Sequence, residues 1–372
     1  MAHVSPAYLP SRPLFLLVAA LPHDDLLKSP ETFAGSPARG FMDVLSEVLK
    51  VVKLQGAMFY NGEFSTPWSF CSPPSRTVAP YVAPDAGHVI IYHLLTEGRA
   101  SARLVDGGRI ILEAGDIVIF PHGHAHFIEN GPPTSSVDMA KELARIFSEG
   151  LKLSRRGGGG EVTKFVCGFM ACEPQLSQVF LSGLPPMFKV SIRNDASGRW
   201  LENSIRFSVN EADASRAGGE AVLAKLSEVL FVETLRIYIA HLPAGQTGWL
   251  AGARDAEVGK TLALMHRNPA HAWTIASLAK EAGVSRSVLA ERFRHYLNEP
   301  PMAYLTRWRL QLGAQMLAST RHSVAQVAAE VGYESEAAFN RAFKREFKSP
   351  PARFRILSRS AQTQLPAKSS NR

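Results

Sequence analysis

Apolar residues recur at every fourth position in two runs near the end of the chain, Leu289, Phe293 and Leu297, then Phe339, Phe343 and Phe347. Each run predicts a helix that buries one stripe and leaves its opposite face free. Before each run lies a shorter segment of the same period closed by a glycine: Leu278-Ala-Lys-Glu-Ala-Gly283-Val-Ser285 and Val327-Ala-Ala-Glu-Val-Gly332-Tyr-Glu-Ser335. A glycine there lets the chain turn sharply, and the serine oxygen is placed to cap the helix that follows. Each copy ends on a proline pair, Pro300-Pro301 with Tyr304 and Pro350-Pro351 with Phe354. The copies are offset by 49 residues up to the glycines and by 50 beyond them, so one helix-turn-helix unit is written twice. Thr274 and Ser323 begin the first helix of each unit, and Ser323 with Gln326 has the spacing of a capping box. Free backbone N–H groups at those helix starts suit phosphates. Ala303 to Ala318 predicts a connecting helix of about 24 Å at ~1.5 Å per residue. Successive major-groove faces of a DNA duplex repeat every ~34 Å, so one chain is expected to reach two adjacent turns.

Upstream the period falls to two. Alternating or solid apolar segments predict strands at Ala57 to Tyr60, Trp68 to Cys71, His88 to Leu95, Ala100 to Val105, Arg109 to Leu112 and Asp116 to Phe120, with turns at Asn61-Gly62, Glu97-Gly98 and Asp106-Gly107-Gly108. Strands so closely spaced imply a sandwich or small barrel. Further strand-like pieces are Thr163 to Ala171, Met187 to Ile192 and Ser204 to Val209, with a flexible loop at Ser154 to Gly160. Helices are predicted from Asp43, carrying Val44, Leu45, Val48, Leu49 and Val52, and over Val137 to Phe147. Glu220 to His241 reads as a helix with two apolar faces where a surface helix needs one. Either one face meets a partner, or both are covered by the same chain, including a helix from Glu257 to His266. Pro243 to Gly248 reads as a hinge.

At 372 residues with 46% apolar content the chain is long enough for two full cores. Cys71, Cys167 and Cys172 have no metal-like spacing and suit a reducing compartment. The longest apolar run, Leu14 to Leu21, is far short of the ~20 residues that cross a bilayer. No membrane partner is expected, and the cytoplasm is the expected compartment. Charge changes the picture most. Residues 252–359 hold 17 Lys and Arg against 9 Asp and Glu, whereas residues 1–251 hold 22 against 24. The excess positive charge therefore lies on and after the double repeat, as expected for a protein that binds a polyanion. The free faces of the two second helices carry Arg286, Ser287, Ala290, Glu291 and Arg294, and Glu336, Ala337, Asn340, Arg341 and Lys344. Arg and Asn presented on a supported helix suit reading of the DNA major groove.

The repeat resembles the AraC/XylS type of bacterial transcription regulator. The matching residues are Ala279, Gly283, Ser285 and Phe293, the connector Trp308 to Leu317, and Val327-Ala328, Gly332-Tyr333, Ser335, Phe339, Arg341, Phe343-Lys344 and Pro351. In such regulators the protein often begins near a segment like Met42 to Ser46, which makes Met42 an alternative start. A second resemblance lies in Gly115-Asp-Ile-Val-Ile-Phe-Pro121-His-Gly123-His-Ala-His126-Phe-Ile-Glu-Asn130, which is similar to the second cupin motif. The first cupin motif is incomplete: His93 follows Gly87 at the right distance, but Leu95 stands where a second histidine belongs and Glu97 comes too early. The resemblances imply a multidomain α and β protein, an N-terminal cupin-like β-barrel followed by an all-α domain of two helix-turn-helix units.

The expected organisation is a loose arm at 1–41, a cupin-like sensor at 42–215, a connecting and dimerisation helix with hinge at 216–251, a DNA-binding domain at 252–357 and a disordered tail at 358–372. The expected activity is sequence-specific binding of double-stranded promoter DNA by a homodimer, without catalysis, metal or cofactor. A small-molecule effector is expected in the barrel, oriented by His93 and His126, and RNA polymerase is a further candidate partner. The competing class is a metal-dependent cupin enzyme with a DNA-binding appendage, since His93, His122, His124 and His126 are potential ligands.

Overall fold

The computed structural model describes residues 44–49, 54–83, 86, 88–132, 137–149, 152–172, 181, 183–212, 218–243 and 245–363. The arm at 1–41 and the cap at Asp43 lie outside them, while 44–49 is helical.

Eleven strands in the described residues form two sheets: β1 (Gln55–Ser65), β2 (Trp68–Ser72), β3 (His88–Glu97), β4 (Arg99–Leu104), β5 (Gly107–Glu113), β6 (Asp116–Phe120), β7 (His126–Asn130), β8 (Val137–Asp138), β9 (Leu153–Gly157), β10 (Val162–Cys172) and β11 (Phe188–Ser191). One sheet runs β11-β6-β3-β10-β1-β9 and the other β5-β4-β7-β2-β8, a jelly-roll-like pair rather than a closed ring. The solid apolar run of β3 follows from burial on both faces. His93 and Leu95 point between the sheets toward Phe70 and Phe165, while Ile90, Tyr92 and Leu94 point outward into a second core.

That outward core is covered by α3 (Ala196–Ala212) and α4 (Gly219–Ala240), two of the helices that accompany the sandwich. The others are the short helix at 44–49, α1 (Ser75–Val82) and α2 (Met139–Glu149). The Tyr92 hydroxyl meets Ser227 of α4 at 2.5 Å, and Gly168 of β10 makes room for it, since a Cβ there would lie 2.1 Å from the Tyr92 oxygen. Both expected apolar faces of α4 are largely covered by the same chain. Leu223, Leu230, Phe231, Leu235 and Ile239 are buried, whereas Val222 and Val229 are exposed.

Several local expectations fail for physical reasons. Asn61-Gly62 is not a turn but the middle of β1, where Gly62 admits the rings of Tyr60 and Phe64 beside it. The glycine-rich stretch from Ser154 is not a free loop at its start, because β9 pairs parallel to β1 through Gly157. Ser204 to Val209 is helical: Leu201, Ile205 and Val209 are buried at four-residue spacing, a helix period that short apolar runs conceal. Helix α1 was not foreseen, and Val137–Asp138 is a short strand before α2 begins.

The C-terminal half is helical: α5 (Trp249–Arg254), α6 (Ala256–Arg267), α7 (Ile275–Ala282), α8 (Arg286–Leu297), α9 (Pro301–Ser319), α10 (Val324–Glu330), α11 (Glu336–Phe347) and α12 (Pro351–Thr363). The 251/252 boundary falls inside α5, and α12 continues well into the stretch expected to be a disordered tail. Capping explains the helix starts. Asp255 accepts from the Glu257 and Val258 amides, and capping boxes form at Thr274 with Ser277 and at Ser323 with Gln326. Gly283 and Gly332 have φ of 77° and 87°, the left-handed turns that the repeat requires. Among the described residues no helix is long and apolar enough to cross a membrane.

Candidate nucleic-acid interface and sandwich cavity

The two second helices of the repeat, α8 and α11, are built alike. Ser285 and Ser335 accept from the Val288 and Ala338 amides and fix where each helix begins. Leu289 and Phe293 anchor α8, and Phe339 and Phe343 anchor α11, all at 0% exposure. Fixing that stripe determines which side chains remain outside. Arg286, Ser287, Glu291 and Arg294 are exposed on α8 with Ala290 half-buried, and Glu336, Ala337, Arg341 and Lys344 are exposed on α11 with Asn340 half-buried. All ten positions therefore belong to open helix faces. The Ser287 hydroxyl lies 3.0 Å from that of Ser285, and Asn340 Nδ2 lies 3.5 Å from Glu336 Oε1.

The two units are held differently. The second has its own core, formed by Leu310, Leu317, Val327, Phe339 and Phe343. The first shares one continuous core with the sandwich, running from Ile90 and Tyr92 through Leu230, Leu242 and Trp249 to Leu278, Phe293 and Trp308. Polar contacts reinforce this junction: Arg254 donates to the Leu242 carbonyl at 2.6 Å, and the Gly248 amide to that of Tyr296 at 2.8 Å. Arg267 lies 3.6 Å from the Glu47 carboxylate. Arg292, on the inner side of α8, reaches Asp255 at 2.9 Å and Glu257 at 3.1 Å. Arg309 of the connector donates to the Pro269 and His271 carbonyls, both at 2.7 Å. The sequence showed Arg292 and Arg309 only as positive charge, because their carboxylate and carbonyl partners lie 35 to 40 residues away.

Between the two sheets, His93 and His126 come together with Cys167. The His124 carbonyl can only accept, so His126 Nδ1, 2.8 Å away, carries the proton and Nε2 is left as an acceptor. His93 Nε2, at 2.7 Å, then donates to it, and His93 Nδ1 accepts from the Cys167 thiol at 2.7 Å. Every ring nitrogen is thereby used. Burial lowers the His126 pKa to about 4, and burial together with His126 holds His93 well below its usual range. Burial pushes the Cys167 thiol up. The chain is neutral from end to end. His122 and His124 do not join it: His122 turns to the Leu184 carbonyl at 2.9 Å, and His124 is exposed. Among the described residues no group of three or more His, Cys, Asp or Glu has a geometry able to hold a metal ion. A cavity of about 20 Å³ adjoins the chain, with His93 and Cys167 on its wall and Val78, Met139 and Leu143 over it. His126 is fully buried behind His93.

Comparison with known proteins finds the same two kinds of domain in the same order, with the cupin match extending through α4. The Cupin family profile matches residues 43–240, and a helix-turn-helix domain profile matches residues 278–356. A Streptomyces lividans protein named as an AraC-like transcription regulator is 30% identical over 317 residues, covering 84% of this chain and 98% of its own. The HTH-type transcriptional regulator AlkR of Acinetobacter baylyi is 28% identical over 84% of this chain and 99% of its own. The RCS-specific HTH-type transcriptional activator RclR of Escherichia coli is 29% identical over 84% and 97%. With two helix-turn-helix units presenting open faces, a cupin domain before them and relatives matched nearly end to end, the chain belongs to the AraC-like family of DNA-binding transcription regulators.

Proposed function

We propose that the chain reads promoter DNA with α8 and α11 in neighbouring major grooves while its cupin domain (42–215) senses a small molecule. The observation that carries this reading is the pair of open helix faces, each backed by a buried apolar stripe, on one connector of 19 residues. That connector is about 28 Å long at ~1.5 Å per residue, close to the ~34 Å groove repeat. Arg286, Ser287, Ala290, Glu291 and Arg294, with Glu336, Ala337, Asn340, Arg341 and Lys344, form the base- and phosphate-facing set. His93 and His126 act from the sandwich as one neutral unit, His93 at the cavity wall and His126 holding its orientation. No catalytic step is assigned to either histidine, and neither needs a metal or cofactor for this role.

A second copy of the chain completes the reading. Val222 and Val229 on α4 and Trp200 and Phe207 on α3 are apolar yet 46 to 63% exposed, on two helices packed against each other. A homodimer covering them doubles the contacts to a repeated half-site. A protein with this target works in the cytoplasm, where RNA polymerase is a candidate partner. Selection from a random pool of duplexes by the full-length protein tests the function: recovery of a shared sequence is expected, and recovery of unrelated fragments with uniform affinity refutes it.

A further inference from the structure

This inference rests on the reading of the cupin domain as the sensor. We propose that the sandwich cavity takes a neutral, mainly apolar molecule with no more than one hydrogen-bonding group, admitted by displacement of the α2 side chains above it. The wall carries the argument. Phe70, Val78, Met139 and Leu143 are apolar, and no Lys, Arg, Asp or Glu lines the space.

The polar groups on the wall are already committed. His93 has both nitrogens in hydrogen bonds, and the Cys167 thiol supplies one of them. Tyr60 is bonded to Ser154, which leaves Ser72 as the hydroxyl best placed for a ligand. An ionised ligand would be desolvated with no counter-charge to meet it, and a sugar would leave most of its hydroxyls unpaired. A molecule with one polar end loses least. Protonating His93 to supply a counter-charge is opposed by its burial and by His126 beside it.

Size sets the second condition. A cavity of about 20 Å³ holds a single water-sized guest, so a larger one must push the roof aside. Met139 is the side chain best suited to yield, being unbranched and 8% exposed at the start of α2, whereas Leu143 is 2% exposed one turn further in. Entry of a guest therefore moves α2 relative to β2, and the cavity registers occupancy through its roof.

The test uses the full-length protein and four probes of similar size: 1-hexanol, hexanoate, hexylammonium and xylose. Binding is followed by the melting temperature and by tryptophan emission, since Trp68 stacks on Phe70 of the wall at 6.2 Å. 1-Hexanol is expected to bind saturably and at least tenfold more tightly than the other three. Leu143→Trp, which fills the space, is expected to weaken 1-hexanol at least tenfold while leaving DNA affinity within about twofold. If Leu143→Trp does not fold, Val78→Leu serves the same purpose from α1. Comparable binding of an ionised probe or of xylose overturns the proposal, as does absence of saturable 1-hexanol binding or its survival in the filled variant. DNA affinity measured beside it separates the two readings. Saturable 1-hexanol binding that leaves DNA affinity unchanged would sink the sensor role and leave the ligand class standing.

Discussion

Trp249 donates its indole N–H to the Tyr304 hydroxyl over 2.8 Å, and this bond places the residue that follows the expected hinge inside the core of the DNA-binding half. Tyr304 in turn meets His266 Nε2 at 2.7 Å, and His266 stacks on Trp308 at 4.1 Å. Trp249 is 3% exposed, so a fragment that begins at Gly252 leaves a hole where its ring belongs. Deleting a buried aromatic side chain costs about 3–5 kcal/mol. A fragment starting at Pro243 is expected to melt cooperatively and one starting at Gly252 to melt markedly lower. Equal melting temperatures for the two fragments would show that Trp249 belongs to the sandwich alone.

Asp255 serves two helices at once, and that makes it a sensitive position. One carboxylate oxygen caps α6 and the other receives Arg292 from α8. Asp255→Asn keeps an N-cap acceptor but lacks the full charge that holds Arg292, whereas Asp255→Ala loses both. Loss of a cap costs about 0.5–2 kcal/mol. The alanine variant is expected to be the less stable in urea, and both are expected to weaken protection of the half-site read by α8 more than that read by α11. Uniform loss across both half-sites in a footprint would assign Asp255 a purely global role.

Much of this was legible in the sequence because the decisive interactions are local. The four-residue stripes, the turn glycines and the serine caps lie within a few residues of one another, so both helix-turn-helix units and their exposed faces could be read from spacing alone. Period-two patterning located the main strands for the same reason. What escaped depends on partners far along the chain. Gly62 looked like a turn residue because Phe165 of β10, which pairs with it in the sheet and whose ring lies 3.3 Å from where a Cβ would stand, is far along the chain. Trp249 fell outside the expected DNA-binding domain because Tyr304 is 55 residues away. The cluster of four histidines divided into one buried pair and two outliers only when β3 and β7 were placed on facing sheets.

Three buried histidines make stability depend on pH. Burial lowers His126 to about 4 and His266 to about 3, and His93 is also held well below the ordinary 6.5. With folded values below the unfolded value, the unfolded chain binds more protons between them. The stabilisation is therefore complete above about pH 6.5 and is lost as the pH falls toward 4. His126 and His266 each contribute a slope of up to about 1.4 kcal/mol per pH unit between the ordinary value and their lowered ones. Urea midpoints are expected to drop steeply from pH 6.5 to 4.5, and His266→Phe is expected to flatten the slope by one proton. A slope unchanged in that variant would mean that His266 is protonated in the folded chain.

Self-association has a test that the structure sharpens. Val229 is 46% exposed on α4 while its neighbour Leu230 is fully buried against the sandwich. Val229→Asp is expected to give a folded monomer at micromolar concentration, whereas Leu230→Asp is expected to unfold the domain, since an unpaired charge would enter the core. Sedimentation of the unaltered protein provides the reference. A monomeric unaltered chain, or a dimeric Val229→Asp and Trp200→Asp double variant, would remove this surface from consideration.

The DNA-reading assignment is most exposed at Arg341. It lies on the open face of α11, two positions before the Phe343 anchor that fixes the orientation of the helix. A guanidinium there can pair in bidentate fashion with a guanine edge, or it can hold a phosphate, and the two roles differ in what is lost. Arg341→Ala is expected to cost about 1–3 kcal/mol on the selected site and much less on random duplex, with the salt dependence nearly unchanged. Lys344, one turn further along the exposed face, is the contrasting case. Lys344→Ala is expected to weaken selected and random DNA alike and to reduce the slope of log affinity against log salt by about one phosphate contact. Binding isotherms for both variants on both duplexes at several salt concentrations decide the matter. Equal loss for Arg341→Ala on the two duplexes, together with a smaller salt slope, would make it a backbone contact and move base reading on α11 to Asn340 and Ala337.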